Sequence, residues 1–283
     1  MLISEYKKNT RPFSMEEPFD FLIYRPLAFV VVMLTKALPL NPNHYSLMAL
    51  LSAIYAGVQF SHGDIAGLWH GGIGVFLFSV FDCCDGMIAR LKKNGSELGE
   101  IIDMFVDLVS NIFFYVGLYL GLTKNLIPNQ YPWLVFISAL SILLNATIYN
   151  FFKKQYLAYY NNRPNWKSDE AIKYHEIYDR LKGSPRNYFW CFLIRLFFGF
   201  SAAQKNEDEI IKYNGREYIS KNKKLLPMWA ISSGSSHLTF LSLFTIFANI
   251  DYFYFVTIAF FGLWPIFMLV LQKIVNSKVE VLA

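Results

Sequence analysis

Four aspartates carry the clearest chemical signal in this sequence, because they lie inside or beside two long apolar stretches. They form two pairs, Asp82 with Asp85 and Asp103 with Asp107. The members of a pair are three or four residues apart, so they share one face if the stretch is helical. A lone carboxylate in a membrane costs about 2.5–3.5 kcal/mol, and four would cost on the order of 10 kcal/mol. The sequence therefore predicts a partner that offsets this cost.

Divalent cations are the partners that suit such a group. Close carboxylates repel one another, and their hard oxygens are the ligands that Mg²⁺, Mn²⁺ and Ca²⁺ prefer. Two ions held in this way can clamp the entering and leaving oxygens of a phosphoryl transfer. We therefore expect a metal site at the four aspartates.

Small residues and one arginine accompany the aspartates. Gly86 and Gly99 have no side chain, so a nucleotide or diphosphate can approach the backbone. Ala89 also leaves space, and Arg90 offers a forked donor to a phosphate. The pattern favours a bound nucleotide or diphosphate beside the metal site.

The composition is typical of a membrane protein. Of the 283 residues, 54% are hydrophobic and only 17% are charged, whereas soluble domains contain about 25% charged residues. The net charge of +5 indicates basic loops beside anionic lipid rather than nucleic-acid binding. The three cysteines, Cys83, Cys84 and Cys191, are interpreted as free thiols.

Apolar stretches of about twenty residues predict six membrane-spanning helices. They cover approximately residues 45–60, 66–91, 98–122, 131–152, 226–248 and 252–271. The shorter run Leu27–Leu40, interrupted by Lys36, predicts an interfacial helix. The expected fold class is an all-α integral membrane protein with six transmembrane helices and an N-terminal interfacial helix.

The same pattern divides the chain into four parts. Residues 1–44 are a cytoplasmic N-terminal segment with the interfacial helix, and 45–152 hold the first four spans with the aspartates. Residues 153–225 form a cytoplasmic loop with an amphipathic segment, and 226–283 hold the last two spans and a short tail. The turns on one side contain a single basic residue, Lys124. The positive-inside rule therefore predicts a multi-pass protein with both termini and the acidic site cytoplasmic.

Written as a pattern, the acidic stretch reads Asp82-x-x-Asp85-Gly86-x-x-Ala89-Arg90, then eight residues, then Gly99-x-x-x-Asp103-x-x-x-Asp107. At every fixed position this resembles the signature of the CDP-alcohol phosphotransferase (CDP-alcohol phosphatidyltransferase) family. Pro42-Asn43 followed by Ser46 resembles the opening of that family's first span. The resemblance covers the motif and the six-span layout, and the remaining third of the chain is not covered by a recognisable motif.

The resemblance implies an integral membrane enzyme, usually a homodimer, with an active site open to the cytoplasm. Such enzymes move a substituted phosphate from a CDP-linked alcohol to a second alcohol and release CMP. It implies two Mg²⁺ or Mn²⁺ ions at the aspartates, with Asp107 also acting as the general base toward the acceptor hydroxyl. The implied nucleotide-binding residues are Asn43, Ser46, Gly86, Ala89, Arg90 and Gly99.

The acceptor site is less defined by the sequence, and its six candidates are Lys153, Lys154, Arg195, Ser232, Ser236 and His237. The serines and the histidine lie in the fifth predicted span, where they either pack helices together or form a polar wall for the acceptor. The lysines either anchor the fourth span at the headgroups or turn inward with the arginine to bind a phosphate.

Two substrate assignments stay open. One is CDP-diacylglycerol or a related CDP-lipid, with a polar acceptor such as inositol, inositol phosphate or glycerol phosphate. The other is CDP-ethanolamine or CDP-choline, with diacylglycerol or another lipid alcohol. The chain length, Arg25-Pro26 and the run 88–92 look more like the CDP-lipid branch, which we therefore prefer, although the long 153–225 loop departs from compact members.

Intramembrane aspartates also suit an ion-coupled transporter, and the motif alone does not exclude a scaffold without catalysis. Transport does not require the interleaved glycine, alanine and arginine, so the enzyme is the better interpretation. Metal-dependent release of CMP separates the enzyme from both alternatives.

Overall fold

The computed structural model describes residues 16–92, 95–124, 131–163, 165–203 and 212–282. The N-terminal part contains a π-helical turn, Asp20–Tyr24, and helix α1, Arg25–Thr35. Four long helices follow: α2 (Pro42–His62), α3 (Ile65–Lys92), α4 (Glu97–Leu122) and α5 (Leu134–Tyr160).

The remaining helices are shorter, and the first of them is polar. They are α6 (Trp166–Leu181), α7 (Tyr188–Ala203), α8 (Gly215–Asn222), α9 (Leu225–Ala230), α10 (Gly234–Ile246), α11 (Ile250–Val256) and α12 (Gly262–Asn276). A π-helical turn, Thr257–Phe261, makes α11 and α12 continuous. One antiparallel pair of two-residue strands, β1 (Lys212–Tyr213) and β2 (Val281–Leu282), completes the described structure.

Four helical stretches in the described residues are long and apolar enough to cross a membrane. They are α3, α4, α5 and the continuous stretch Ile250–Asn276. These correspond to the second, third, fourth and sixth predicted spans, so a helical fold with four helices able to cross a membrane is confirmed. The full set of six spans is not confirmed.

The first and fifth predicted spans are helical but differ from the other four. Helix α2 is 21 residues long and is not among the four apolar candidates. The fifth predicted span is divided into α9 and α10 by a turn at residues 231–233, where the extended backbone of Ser233 caps α10. Serine and glycine at this point favour a cap over an unbroken helix. The interfacial position of α1 stays a prediction.

The chain forms two compact units, of which the first comprises Met1–Tyr149 and Leu226–Val270. Within it, α2 packs along both α3 and α4, and α1 and α10 pack against α3. Helix α1 buries Ala28 and Val32 in a cluster with Cys84 and Ile88 of α3. Helix α2 is therefore the element that the two aspartate-bearing helices share.

The contact between α2 and α4 depends on glycine. A Cβ at Gly57 would lie 2.6 Å from the carbonyl oxygen of Phe113. A Cβ at Gly117 or Gly121 would collide with a backbone carbonyl of α2. Small residues of this kind let helix backbones approach closely in membranes, so these glycines have a packing role.

The second unit comprises Asn150–Leu225 and Leu271–Ala283. In it, α6 and α7 pack together, with the rings of Tyr174 and Phe198 stacked. The carboxylate of Glu217 accepts a hydrogen bond of 2.8 Å from the backbone N–H of Glu280, beside the strand pair. Hydrogen bonding from Lys221 holds the pKa of Glu217 below its usual range.

Candidate active site

The carboxylates of Asp82, Asp85 and Asp103 converge between α3 and α4. One oxygen from each lies within 4.8 Å of the other two. Metal–oxygen distances of about 2.0–2.6 Å place opposite ligands about 4–5 Å apart. The three side chains therefore fit a divalent cation, and their hard oxygens favour Mg²⁺, Mn²⁺ or Ca²⁺ over softer metals.

Asp107 lies one helical turn after Asp103, beside these three carboxylates. Its charge repels that of Asp82, and the charges of Asp103 and Asp85 repel Asp107 in turn. Its side chain is exposed. The structure thus brings three of the four predicted ligands to one point and leaves the fourth adjacent and accessible.

Ser46 links α2 directly to the acidic group. Its hydroxyl donates a buried hydrogen bond of 2.8 Å to Oδ2 of Asp85. Pro42 opens the helix, and Nδ1 of His44 accepts a hydrogen bond of 3.0 Å from the backbone N–H of Asn41. This cap fixes the first turn of α2 and so positions Ser46 at the site.

The other predicted nucleotide residues surround the same region, with Asn43 exposed on the first turn of α2. Among the described residues, a Cβ at Gly86 would meet only Nη1 of Arg90, at 3.5 Å, which is an ordinary contact. Packing therefore does not require glycine at position 86, whereas the close approach of a ligand would. The guanidinium of Arg90 also acts as a positive charge on Asp85.

Hydrogen bonds hold the end of α3 and the start of α4. The hydroxyl of Ser96 caps α4 by accepting from the N–H of Gly99 at 3.0 Å. At the end of α3, the ammonium of Lys92 donates to the carbonyl of Leu40 at 2.7 Å. These contacts hold the ends of the helices that present the aspartates. Sequence reasoning missed both residues, although a serine three residues before Gly99 is a recognisable cap.

The predicted acceptor residues of the first unit are Ser232, Ser236 and His237. Together with Ser141 of α5 they form a separate group, which we call the serine–histidine cluster. The first three are fully buried. Nε2 of His237 lies 3.3 Å from the hydroxyl of Ser141, and its ring packs against Phe261 at a centroid distance of 4.3 Å. No contact described for the cluster joins it to the aspartates.

The predicted basic acceptor residues lie in the second unit. The ammonium of Lys154 pairs with Glu170 at 2.7 Å, and the guanidinium of Arg195 lies over the ring of Tyr178 at 5.1 Å. Lys153 is half-buried on α5. Their role toward an acceptor stays a prediction.

Two further acidic residues act on the site and were not among the residues predicted from the sequence. Glu17 and Asp20 precede α1, and the charges of both act on Asp107. Their spacing of three residues, within a segment otherwise rich in aromatic residues, was the available signal.

The part of the chain that contains this site matches a known protein family, and two known proteins are similar to parts of the chain. Residues 39–167 match the family described as CDP-alcohol phosphatidyltransferase. A phosphatidylinositol phosphate synthase of Mycobacteroides abscessus is 37% identical over 51 residues, which cover 18% of this chain and 23% of that protein. Choline/ethanolaminephosphotransferase 1 of Saccharomyces cerevisiae is 35% identical over 66 residues, or 22% of this chain and 17% of that protein. The matched stretches thus span less than a quarter of either relative.

Proposed function

We propose that the chain is a CDP-alcohol phosphotransferase, because residues 39–167 match the CDP-alcohol phosphatidyltransferase family. It moves a substituted phosphate from a CDP-linked alcohol to a second alcohol and releases CMP. The observation that carries this proposal is the convergence of three carboxylates within 4.8 Å, with Asp107 beside them.

The metal-binding residues in this proposal are Asp82, Asp85, Asp103 and Asp107, with two Mg²⁺ or Mn²⁺ ions. When bound, such ions neutralise the diphosphate and stabilise CMP as the leaving group. The hydrogen bond from Ser46 orients the carboxylate of Asp85 toward the metal site.

Asp107 is the general base of the proposed reaction. Its exposed carboxylate takes the proton from the acceptor hydroxyl, whose oxygen then attacks the phosphorus that bears the transferred alcohol. The bond from that phosphorus to the CMP oxygen breaks, and CMP leaves with the electron pair. Arg90 binds a phosphate oxygen, and the open backbone at Gly86 admits the diphosphate.

The remaining nucleotide contacts are proposed for Asn43, Ser46, Ala89 and Gly99. Candidate acceptor residues remain Lys153, Lys154 and Arg195 together with Ser232, Ser236 and His237. We further propose a homodimer whose protomers each have six spans, with α2 and the α9–α10 pair also crossing the membrane and both termini cytoplasmic.

The sequence favours CDP-diacylglycerol or a related CDP-lipid as donor, with inositol, inositol phosphate or glycerol phosphate as acceptor. The alternative is CDP-ethanolamine or CDP-choline with diacylglycerol or another lipid alcohol. The two relatives support one branch each, since one is named as a phosphatidylinositol phosphate synthase and the other as a choline/ethanolaminephosphotransferase.

The test is release of CMP by the purified chain in lipid nanodiscs, with Mg²⁺ or Mn²⁺. Each CDP-alcohol is combined with each acceptor in turn, and the lipid product is identified by mass spectrometry. Asp251→Asn, an exposed aspartate at the start of α11, is the control for the site variants. Absence of metal-dependent CMP release from every pair would reject the transferase, and ion flux without CMP release would support the transporter.

A further inference from the structure

Helix α7 of the second unit has apolar side chains on two opposite faces. One face is buried, with Ile194 and Phe198 packed in the unit and the ring of Phe198 stacked on that of Tyr174 of α6. The other face, which we call the exposed stripe, carries four large side chains that are 45–70% exposed: Tyr188, Phe189, Phe192 and Leu196. A helix that is apolar all round is covered on all sides, so the exposed stripe needs a second cover.

The exposed stripe follows the period of a helix. Tyr188, Phe192 and Leu196 are spaced by four residues, which places them one above the other on the same face. Helix α7 has 16 residues, which gives it a length of about 24 Å at 1.5 Å per residue. The hydrocarbon core of a bilayer is about 30 Å thick. The helix therefore fits a position along a bilayer surface better than one across it.

Basic side chains accompany the exposed stripe. Residues 182–203 contain no acidic residue and three basic ones, Lys182, Arg186 and Arg195, of which Lys182 forms an ion pair of 2.6 Å within the unit. Arg195 follows Phe192 by three residues and so shares its face, and its exposed guanidinium lies 5.1 Å from the ring of Tyr178. Aromatic and basic residues on one surface are typical of helices that bind anionic lipid.

Helix α6 has the opposite character on its outer side. Its exposed side chains include charges of both signs: Lys167, Asp169, Glu176 and Arg180. Such a surface is suited to water. The pair of helices α6 and α7 thus has one charged side and one apolar side, as expected of a hairpin at a boundary between water and lipid.

The connectivity of the chain favours a bilayer over a separate protein as the cover of the exposed stripe. Helix α5 and the stretch Ile250–Asn276 are apolar enough to cross a membrane, and both continue into the second unit. Residues 161–165 alone separate α5 from α6. A short connection of this kind gives α7 a high effective concentration toward any bilayer that holds α5.

Resting on the proposed membrane placement of the chain, we propose that α7 is an interfacial helix that inserts the exposed stripe into the headgroup region of an anionic bilayer. Arg186 and Arg195 bind lipid phosphates, and α6 faces water. For Arg195 this is an alternative to the acceptor phosphate proposed above.

A fluorescent probe tests this position without relying on turnover. The fluorophore NBD is coupled to Phe192→Cys in the full chain, with Cys83, Cys84 and Cys191 replaced by alanine, in nanodiscs of phosphatidylcholine and phosphatidylglycerol. Glu176→Cys on α6 is the matched control. Nitroxide-labelled lipid should quench the probe at position 192 by about half and the probe at 176 by less than about a tenth. A thermal melt checks the folding of each variant.

Lipid composition tests the role of the arginines. In phosphatidylcholine alone the quenching at position 192 should fall about twofold, and Arg186→Gln/Arg195→Gln should show the lower value in both bilayers. The control Lys167→Gln/Arg180→Gln, on the exposed side of α6, should keep the dependence on anionic lipid. Leu196→Cys provides a second probe position if Phe192→Cys lowers the melting temperature.

Emission typical of water at both probe positions would overturn the proposal. Blue-shifted emission without quenching by the labelled lipid would also overturn it, because a second copy or another protein would then cover the exposed stripe. Unchanged quenching in Arg186→Gln/Arg195→Gln, with a raised KM for the acceptor, would reject the lipid contact and favour the acceptor role of Arg195.

Failure of this proposal is distinguishable from failure of the transferase, because the probe reports position and CMP release reports turnover. A probe in water on a chain that releases CMP would reject only the interfacial helix. Quenching by lipid in a chain that releases no CMP from any substrate pair would reject only the transferase.

Discussion

Two groups of polar side chains lie within the apolar first unit, and they satisfy their polar atoms in different ways. The serine–histidine cluster contains hydroxyls, which both donate and accept, and an imidazole, which does one at each nitrogen. The acidic group contains carboxylates, which only accept hydrogen bonds when they are ionised. Ser46 is its one described side-chain hydrogen-bond donor, to Asp85.

The serine–histidine cluster forms its hydrogen bonds within the protein, whereas the acidic group needs a bound cation. Ser232 and Ser236 bond to backbone carbonyls of α9, and His237 bonds to Ser141, although Nδ1 of His237 has no partner among the described residues. The aspartates repel one another when they are ionised, and bound cations would balance their charges. Burial alone therefore does not identify a functional polar group. A cluster of like charges that needs a bound ion is the more informative sign.

The largest expected effect is the loss of activity in Asp107→Asn. The amide cannot take the proton from the acceptor hydroxyl, so kcat should fall by on the order of 10³-fold. Thermal stability should not fall, because one repulsive charge is removed. CMP release and a melting curve on the same preparation are the measurements, and near-normal turnover would remove Asp107 from the role of base.

Metal removal should destabilise the acidic group and leave the serine–histidine cluster unaffected. An ion at a concentration of 100 times its Kd stabilises the folded state by about 2.7 kcal/mol. EDTA should therefore lower the melting temperature of the wild type, and Mn²⁺ should restore it. Asp82→Asn/Asp85→Asn should melt at one temperature under both conditions, and a wild type insensitive to EDTA would contradict the metal site.

His237→Ala should show the opposite behaviour to Asp107→Asn. The lost contact with Ser141 and the cavity beside Phe261 should cost about 2 kcal/mol of stability. Activity per folded molecule should stay within about twofold of the wild type. A rise in the KM for the acceptor, measured by CMP release, would instead favour the cluster as part of the acceptor site.

The smallest effect is expected for Ser46→Ala. Removal of the hydrogen bond to Asp85 should cost about 1 kcal/mol, or about fivefold in metal affinity. Mn²⁺ titration followed by CMP release measures the change. Ser52→Ala, which removes a hydroxyl bonded within α2, is the matched control. Equal metal affinities in the two variants would show that Ser46 does not contribute to metal binding.

The aspartates could be located from sequence because their spacing and the helical period act together. Spacings of three and four put each pair on one face, and a short connection places both pairs near the same ends of the two helices. The break between α9 and α10 could not be predicted in this way. Serine and glycine occur both at caps and inside membrane helices, and the surrounding packing selects between them.

Contacts between distant parts of the chain account for the other differences. The hydrogen bond from Ser235 to Glu17 joins residues 218 positions apart, and no local pattern indicates it. Glycines give a second example, since Gly117 and Gly86 look alike in sequence. Only the structure separates the first, which is required for packing, from the second, which is not.

The close glycine contact between α2 and α4 fixes the middle of α2, so a small change in the tilt of this helix moves its first turn. Gly57 lies at this contact, and Ser46 is eleven residues away, a distance of about 16 Å along the helix axis at 1.5 Å per residue. A tilt of α2 by about 4° at Gly57 would displace Ser46 by about 1 Å. A displacement of that size in an active site can slow an enzyme about a hundredfold. A bulky side chain at position 57, far from any reacting atom, would thereby misalign the carboxylate at the other end of the helix.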